Sequence, residues 1–353
     1  MERTVNRVKK MKRILTALCA VLVIVILLSV AQLLVVPKYR SNREGALIGE
    51  YYDHAGDHDV IFIGDCEVYE SIVPTKMWEE QGISAYVRGS AQQLAWQSYY
   101  ILEDTLRYET PKAVVFNVLA LKYGTPQSEA FNRMTLDGMR WSSSKWHAIQ
   151  ASMTEEEHVM DYLFPLLRFH SRITQLQEED FRYALNAPDV SHAGYLMQTR
   201  VEPMTEWEEG RNLSDYTLPK TAMDYLENMR LLCEEKGVEL ILMKAPTNSW
   251  AYWWYEEWEE QILAYAKEKN LTYYNFIPLC EEIGIDWTRD TYDAGVHLNV
   301  YGAEKLSSYF ASILRESHGI PDRRSEEDLR TRWDERLSVY YEEKQRMEKG
   351  ENT

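Results

Sequence analysis

Asp59-Val60-Ile61-Phe62-Ile63-Gly64-Asp65-Cys66-Glu67 is the stretch from which the rest of the chain can be read. An unbroken apolar run stopping at a glycine suits a strand buried on both faces of a parallel sheet. Downstream of it, a second short run covers 83–87 and a helical pattern covers 91–108. A third run follows at 113–121. Residues 222–236 read as a helix that Gly237 stops, and 238–243 read as the next strand. A helix over 253–269, a strand over 271–276 and a last helix over 300–315, capped by Asn299, complete the alternation. Strand and helix in turn predict a doubly wound α/β sheet of about five parallel strands. Residues 124–217 break the rhythm and lean to helix, so they are expected as an insertion over the carboxyl edge of the sheet, where such folds hold ligands. The charged tail, 318–353, is expected to carry an exposed helix with ion pairs along it.

The 353 residues are 45% hydrophobic and 27% charged, an ordinary globular composition. The net charge of −17 argues against nucleic acid as a partner, because phosphate binding needs concentrated Lys and Arg. Basic side chains gather instead at the start: Arg3, Arg7, Lys9, Lys10, Lys12 and Arg13 precede an uncharged apolar stretch at 14–36. That stretch is long enough to span a bilayer. The charge bias predicts a cytoplasmic tail (1–13), a transmembrane signal-anchor (14–36), a linker (37–58) and an extracytoplasmic main domain at 59–317. A cleaved signal peptide competes, with Ser29-Val30-Ala31 as its cleavage site, but the apolar run continues past it. Both readings put the domain outside the cytoplasm, at the cell membrane. The cysteines, at 19, 66, 233 and 280, are too few for a disulfide scaffold, and at least one downstream thiol is expected free.

Two constellations can carry chemistry. Asp65-Cys66-Glu67 closes the first strand, and Asp293-Ala294-Gly295-Val296-His297 precedes the last helix. A thiol beside a histidine is a nucleophile–base pair, although acidic neighbours raise a thiol pKa. Cys66 also reads as a small buried apolar residue. The other histidines, at 54, 58, 147, 158, 192 and 318, read as polar surface residues, and His170 has no motif behind it. Asn117, polar inside an apolar run, needs either a partner or a task. Trp250, Trp253 and Trp254 lie beyond the fourth strand, where rings suit stacking on sugars, core packing or a membrane-interface belt.

Together the two constellations resemble the SGNH/GDSL hydrolase family over most of 59–317. The resemblance implies an SGNH-hydrolase-like, flavodoxin-like sheet, with a nucleophile in the Gly64-Asp65-Cys66 turn and a base ahead of the last helix. Here cysteine stands in the serine position, and Asp293 and His297 are four residues apart where the family has three. Gly295 offers a bulge to absorb the extra residue, and Asp290 is the reserve for orienting the imidazole. Gly89 and Asn117 match the family's oxyanion positions.

The expected function is acyl-ester hydrolysis or O-acyl transfer on cell-surface polysaccharide. Cys66 is the nucleophile, His297 the base, Asp293 its orienting acid, and Gly89 and Asn117 serve the oxyanion. No metal or cofactor is expected. The anchored topology is similar to that of the alginate O-acetylation and D-alanyl-lipoteichoic acid biosynthesis proteins, which implies a multi-spanning membrane O-acyltransferase as partner. The alternative is a catalytically degenerate glycan-binding or scaffold ectodomain of such a complex.

Overall fold

The computed structural model describes residues 2–37, 45–185, 189–205, 210, 212–248 and 253–350. The chain divides into two compact units, one of 1–43 with 157–188 and one of 44–156 with 189–353.

The larger unit is built on five parallel strands in the order β2-β1-β3-β4-β5: β1 Val60–Gly64, β2 Ala85–Gly89, β3 Ala113–Asn117, β4 Glu239–Lys244 and β5 Thr272–Asn275. Registers such as Phe62↔Val87 and Phe62↔Val115 align the strands so that β1, β2 and β3 end level with one another. Val60, Phe62, Val87, Val115, Ile241 and Met243 alternate onto one face and pack with Met77, Leu306 and Phe310 of the helices Pro74–Gln81 and Val300–Ser317. The intervening residues Ile61, Ile63, Val114 and Phe116 are equally buried, so both faces are covered, as the continuous apolar runs require. The third strand is shorter than its apolar run. It ends at Asn117, and Val118–Lys122 turn into a 3-10 helix.

The expected insertion at 124–217 is not one body. Its first part forms helices Glu129–Leu136 and Ser143–Ser152 within the α/β unit. Its middle, 157–188, folds with the N-terminal helix. Its last part returns as a strap: the Val87 N–H donates to Ala193 O (3.0 Å) and the Leu196 N–H to Tyr69 O (2.7 Å). The strap thereby occupies the open edge of β2, which would otherwise present unpaired backbone groups. It continues along the loop that precedes the helix Val300–Ser317, where the Val300 N–H donates to Gln198 O (2.7 Å) and the Glu202 N–H to Thr291 O (3.0 Å).

The C-terminal helix, Glu327–Glu348, is not an exposed appendage. Leu329, Trp333 and Tyr340 are buried, and Trp333 stacks on Trp78 with ring centres 5.5 Å apart. Arg332 pairs with Asp57 (2.5 Å) and Lys344 with Glu304 (2.7 Å), so these charges reach other elements. Large rings with one buried edge outweigh the charges around them.

In the smaller unit, the helix Glu2–Val35 contains a span, Lys9–Val35, long and apolar enough to cross a bilayer. It runs unbroken through Ser29-Val30-Ala31. Residues 157–185 form short helices Val159–Leu163, Pro165–Phe169 and Glu178–Leu185 with a 3-10 turn at His170–Gln175.

Candidate active site

The chain order reverses across β1, with β2 on one side and β3 on the other. A crevice at the carboxyl ends is expected there, and Cys66 occupies that position as the first residue of the helix Cys66–Ser71. Gly64 makes the turn possible, because a Cβ there would lie 2.5 Å from Val68 Cγ2 and 2.9 Å from Asn117 Cβ. Asp65 caps the helix, its side chain accepting the Glu67 N–H (3.2 Å).

His297 Nε2 lies 3.1 Å from Cys66 Sγ. Its Nδ1 lies 2.6 Å from Asp293 Oδ2, and its backbone N–H donates to Asp293 Oδ1 (2.8 Å). Asp293 therefore holds both the ring and the backbone of the same residue. Between Asp293 and His297 the loop bulges, with Ala294 and Gly295 in left-handed conformations (φ 58° and 89°). Gly295 is pinned there: its N–H donates to Thr291 Oγ1 (2.8 Å) and its carbonyl accepts the Asn248 N–H (2.8 Å). Asp290, the reserve candidate, is buried elsewhere and pairs with Lys305 (2.5 Å).

Glu70 and Tyr292 belong to the same site, though no motif singles them out. Glu70 Oε2 is 3.7 Å from His297 Nδ1 and accepts the Tyr292 hydroxyl (2.7 Å). The Tyr292 ring stacks on the imidazole at 6.0 Å between centres. Glu70 falls one helical turn after Cys66, a spacing that puts both side chains on one face. Burial pushes the Cys66 thiol up to about 11, with Asp65 and Glu70 adding to it and His297 opposing it. Burial pulls His297 down, but Cys66, Asp293 and Glu70 together hold it well above the usual histidine value. The resting pair thus holds its protons tightly, and it must lose one before a proton can pass across the 3.1 Å contact.

Asn117 is placed differently from the oxyanion expectation. Its amide nitrogen donates to Asp65 Oδ1 (3.1 Å) and Glu67 Oε2 (2.9 Å), and its oxygen accepts the Ala245 N–H (3.2 Å). Both amide hydrogens are engaged by carboxylates, so in this arrangement Asn117 props the turn beneath Cys66. Lys244 completes the buried network, donating to Glu67 Oε1 (2.7 Å) and Ala245 O (2.9 Å). Burial, and then the Glu67 carboxylate, raise Asp65 to about 7.

Gly89 ends β2 beside the turn. A Cβ there would sit 3.0 Å from Gly64 O and 3.3 Å from Asp65 O, so the glycine permits the close approach of β2 to β1.

Of the tryptophans, Trp253 is at the site, 6.1 Å between ring centres from His297, and the Lys122 ammonium lies 4.1 Å from its ring centre. Trp254 is buried and donates its indole N–H to Glu259 Oε2 (2.9 Å), so it is packing and not a ligand platform. Trp250 lies outside the described residues. Lys122, at the end of the 3-10 helix, ion-pairs with no carboxylate among the described residues, and burial pulls its pKa down.

The remaining histidines are not uniformly on the surface. His58 and His192 are buried and face Glu109 (3.1 Å) and Glu343 (3.0 Å). All four cysteines are free. Among the described residues no group of three or more His, Cys, Asp or Glu side chains is arranged to hold a metal ion. No protein-family model matches the sequence, and a search of curated proteins finds no similar one.

Proposed function

We propose that the α/β unit is an SGNH-like acyl-ester hydrolase or O-acyltransferase with a cysteine nucleophile, held by the N-terminal helix on the outer side of a cell membrane. The observation that carries this reading is the relay Cys66 Sγ–His297 Nε2 (3.1 Å) and His297 Nδ1–Asp293 Oδ2 (2.6 Å) at the carboxyl edge of a parallel sheet. The strand order 2-1-3-4-5 is that of flavodoxin-like sheets, which agrees with the family resemblance.

In this mechanism the Cys66–His297 pair first loses one proton to solvent, and the neutral imidazole then takes the thiol proton as Cys66 Sγ bonds to the ester carbonyl carbon. Negative charge then collects on the carbonyl oxygen, which the backbone N–H groups of Cys66 and Gly89 would receive if the family resemblance holds. As the tetrahedral species collapses, the alkoxide leaves with the proton from His297 and the acyl group stays as a thioester. Water or a sugar hydroxyl, deprotonated by the same imidazole, then attacks that thioester, and the thiol leaves with the proton returned. Asp293 keeps the imidazole in the one tautomer that serves both steps. Trp253 offers a ring for a sugar face, and Lys122 a positive charge beside it. Cell-surface polysaccharide is the substrate class that the outward orientation favours, and a multi-spanning membrane O-acyltransferase is the partner that the family resemblance suggests.

A second reading, a degenerate glycan-binding or scaffold ectodomain, draws support from the Cys66 thiol raised to about 11 and from the commitment of Asn117 to carboxylates. The two part on one experiment. A thiol-reactive acyl probe should acylate Cys66 in the folded parent. The Cys66→Ser variant should retain ester cleavage at a reduced rate, and Cys66→Ala should lose it. Ester cleavage indifferent to residue 66, or no acylation of Cys66 in the folded protein, favours the scaffold.

A further inference from the structure

We infer that residues 157–185 lie in the outer interface of the bilayer, as a monotopic collar around the emerging end of the N-terminal helix. The inference goes beyond the proposed chemistry and rests on the reading of that helix as a membrane anchor.

The first observation is the partition of the chain. Residues 157–188 belong to one compact unit with 1–43, not to the α/β unit that precedes and follows them in sequence. Their attachment is at the last turn of the helix. Arg172 donates from Nη1 to the Val35 carbonyl (2.8 Å) and from Nη2 to both oxygens of Asp180 (3.0 and 3.2 Å). A helix end leaves carbonyls without intrahelical partners, and where water is scarce they must find others. A buried guanidinium held by a carboxylate is such a partner, and a cation also suits the negative end of the helix dipole.

The second observation sets the depth. The apolar side chains from Ile14 to Leu28 are all exposed, as are Val30 and Leu33, whereas Val35 and Pro37 are buried. Twenty residues, 14–33, rise about 30 Å as a helix, the thickness of a bilayer's hydrocarbon core. The collar therefore meets the helix where the hydrocarbon gives way to headgroups.

The third observation is what the collar leaves uncovered. Met160, Phe164, Leu167, Ile173 and Phe181 are 46–55% exposed, although their neighbours Tyr162, Arg172 and Asp180 are buried. Five large apolar side chains outward on so short a segment are costly in water. Lipid is the occupant that the page supplies, because the same unit already presents an apolar surface along its helix. The polar residues fit the same depth: Arg168 and Arg182 are exposed, with long stems that reach headgroups from an apolar bed. Arg168, Arg172 and Arg182 stand against Glu157, Asp161, Glu178, Glu179 and Asp180, so apolar burial and not charge drives the attachment.

The test uses the full chain in phosphatidylcholine vesicles that contain a phosphatidylcholine with a diazirine in its acyl chain. Photolysis, digestion and mass spectrometry then locate the lipid adducts. The inference expects adducts on peptides from 14–35 and from 157–185, with none on the helix 220–236 of the α/β unit. The Phe164→Asp/Leu167→Asp variant should lose at least about fivefold of the adducts in 157–185 while keeping those in 14–35. Adducts on 14–35 alone in the parent overturn the collar and leave the anchor standing. Adducts on neither overturn the anchor reading and the collar with it.

Discussion

Lys244→Met probes the buried network beneath the Cys66 turn. Lys244 and Glu67 are 0% and 1% exposed at their side chains, and their charged atoms are 2.7 Å apart. The ammonium also donates to Ala245 O, and the second Glu67 oxygen accepts from Asn117. Methionine fills a similar volume, so little packing is lost; what is lost is the charge opposite Glu67. Removing one partner of a buried pair strands the other, at a cost of about 3–5 kcal/mol. Removing both charges avoids this, so Lys244→Met/Glu67→Gln should be less destabilised than Lys244→Met, by at least about 1 kcal/mol. Urea unfolding of the detergent-solubilised full chain, followed by tryptophan fluorescence, measures both. A Lys244→Met cost below about 1 kcal/mol, or a double variant as unstable as the single, would mean that the 2.7 Å contact between Lys244 and Glu67 does not support the turn.

Glu70→Gln removes a negative charge 3.7 Å from His297 Nδ1. That charge raises both Cys66 and His297, and reaction of the thiol requires the pair to lose a proton, so reactivity in the parent rises toward alkaline pH. The variant should lose that proton more easily and move the rate–pH profile of Cys66 alkylation to lower pH; an unmoved profile would show that Glu70 does not act on the pair. Trp333→Ala removes the ring stacked on Trp78 and should cost about 3–5 kcal/mol in urea unfolding. A cost below about 1 kcal/mol would mean the C-terminal helix is dispensable to the core.

The parallel sheet was legible because continuous apolar runs ending near glycine or a polar turn have few other uses. The meeting of Cys66, His297 and Asp293 was within reach of sequence because both halves sit in local contexts, a strand-to-helix turn and a helix-entry loop. What escaped depends on distant partners. Asn117 gave no sign that Glu67 and Lys244 would claim it, since Lys244 arrives on another strand. Glu70 was within reach of sequence, four residues after Cys66 on a helix, but its meaning depended on the arrival of His297. Apolar residues at 157–185 could not reveal whether they would join the sheet or the N-terminal helix. In the C-terminal helix, Leu329, Trp333 and Tyr340 formed an apolar stripe that the surrounding charge obscured.

If His297 activates Cys66, the rate of Cys66 alkylation by iodoacetamide must depend on the imidazole. Near neutral pH, the Cys66 peptide is followed by mass spectrometry in the folded parent and in His297→Ala. Without the imidazole at 3.1 Å, burial together with Asp65 and Glu70 should suppress the thiolate further. Alkylation should be at least about tenfold faster in the parent, equivalent to a pKa difference of about one unit or more. Equal rates in the two proteins would mean that the imidazole does not activate the thiol.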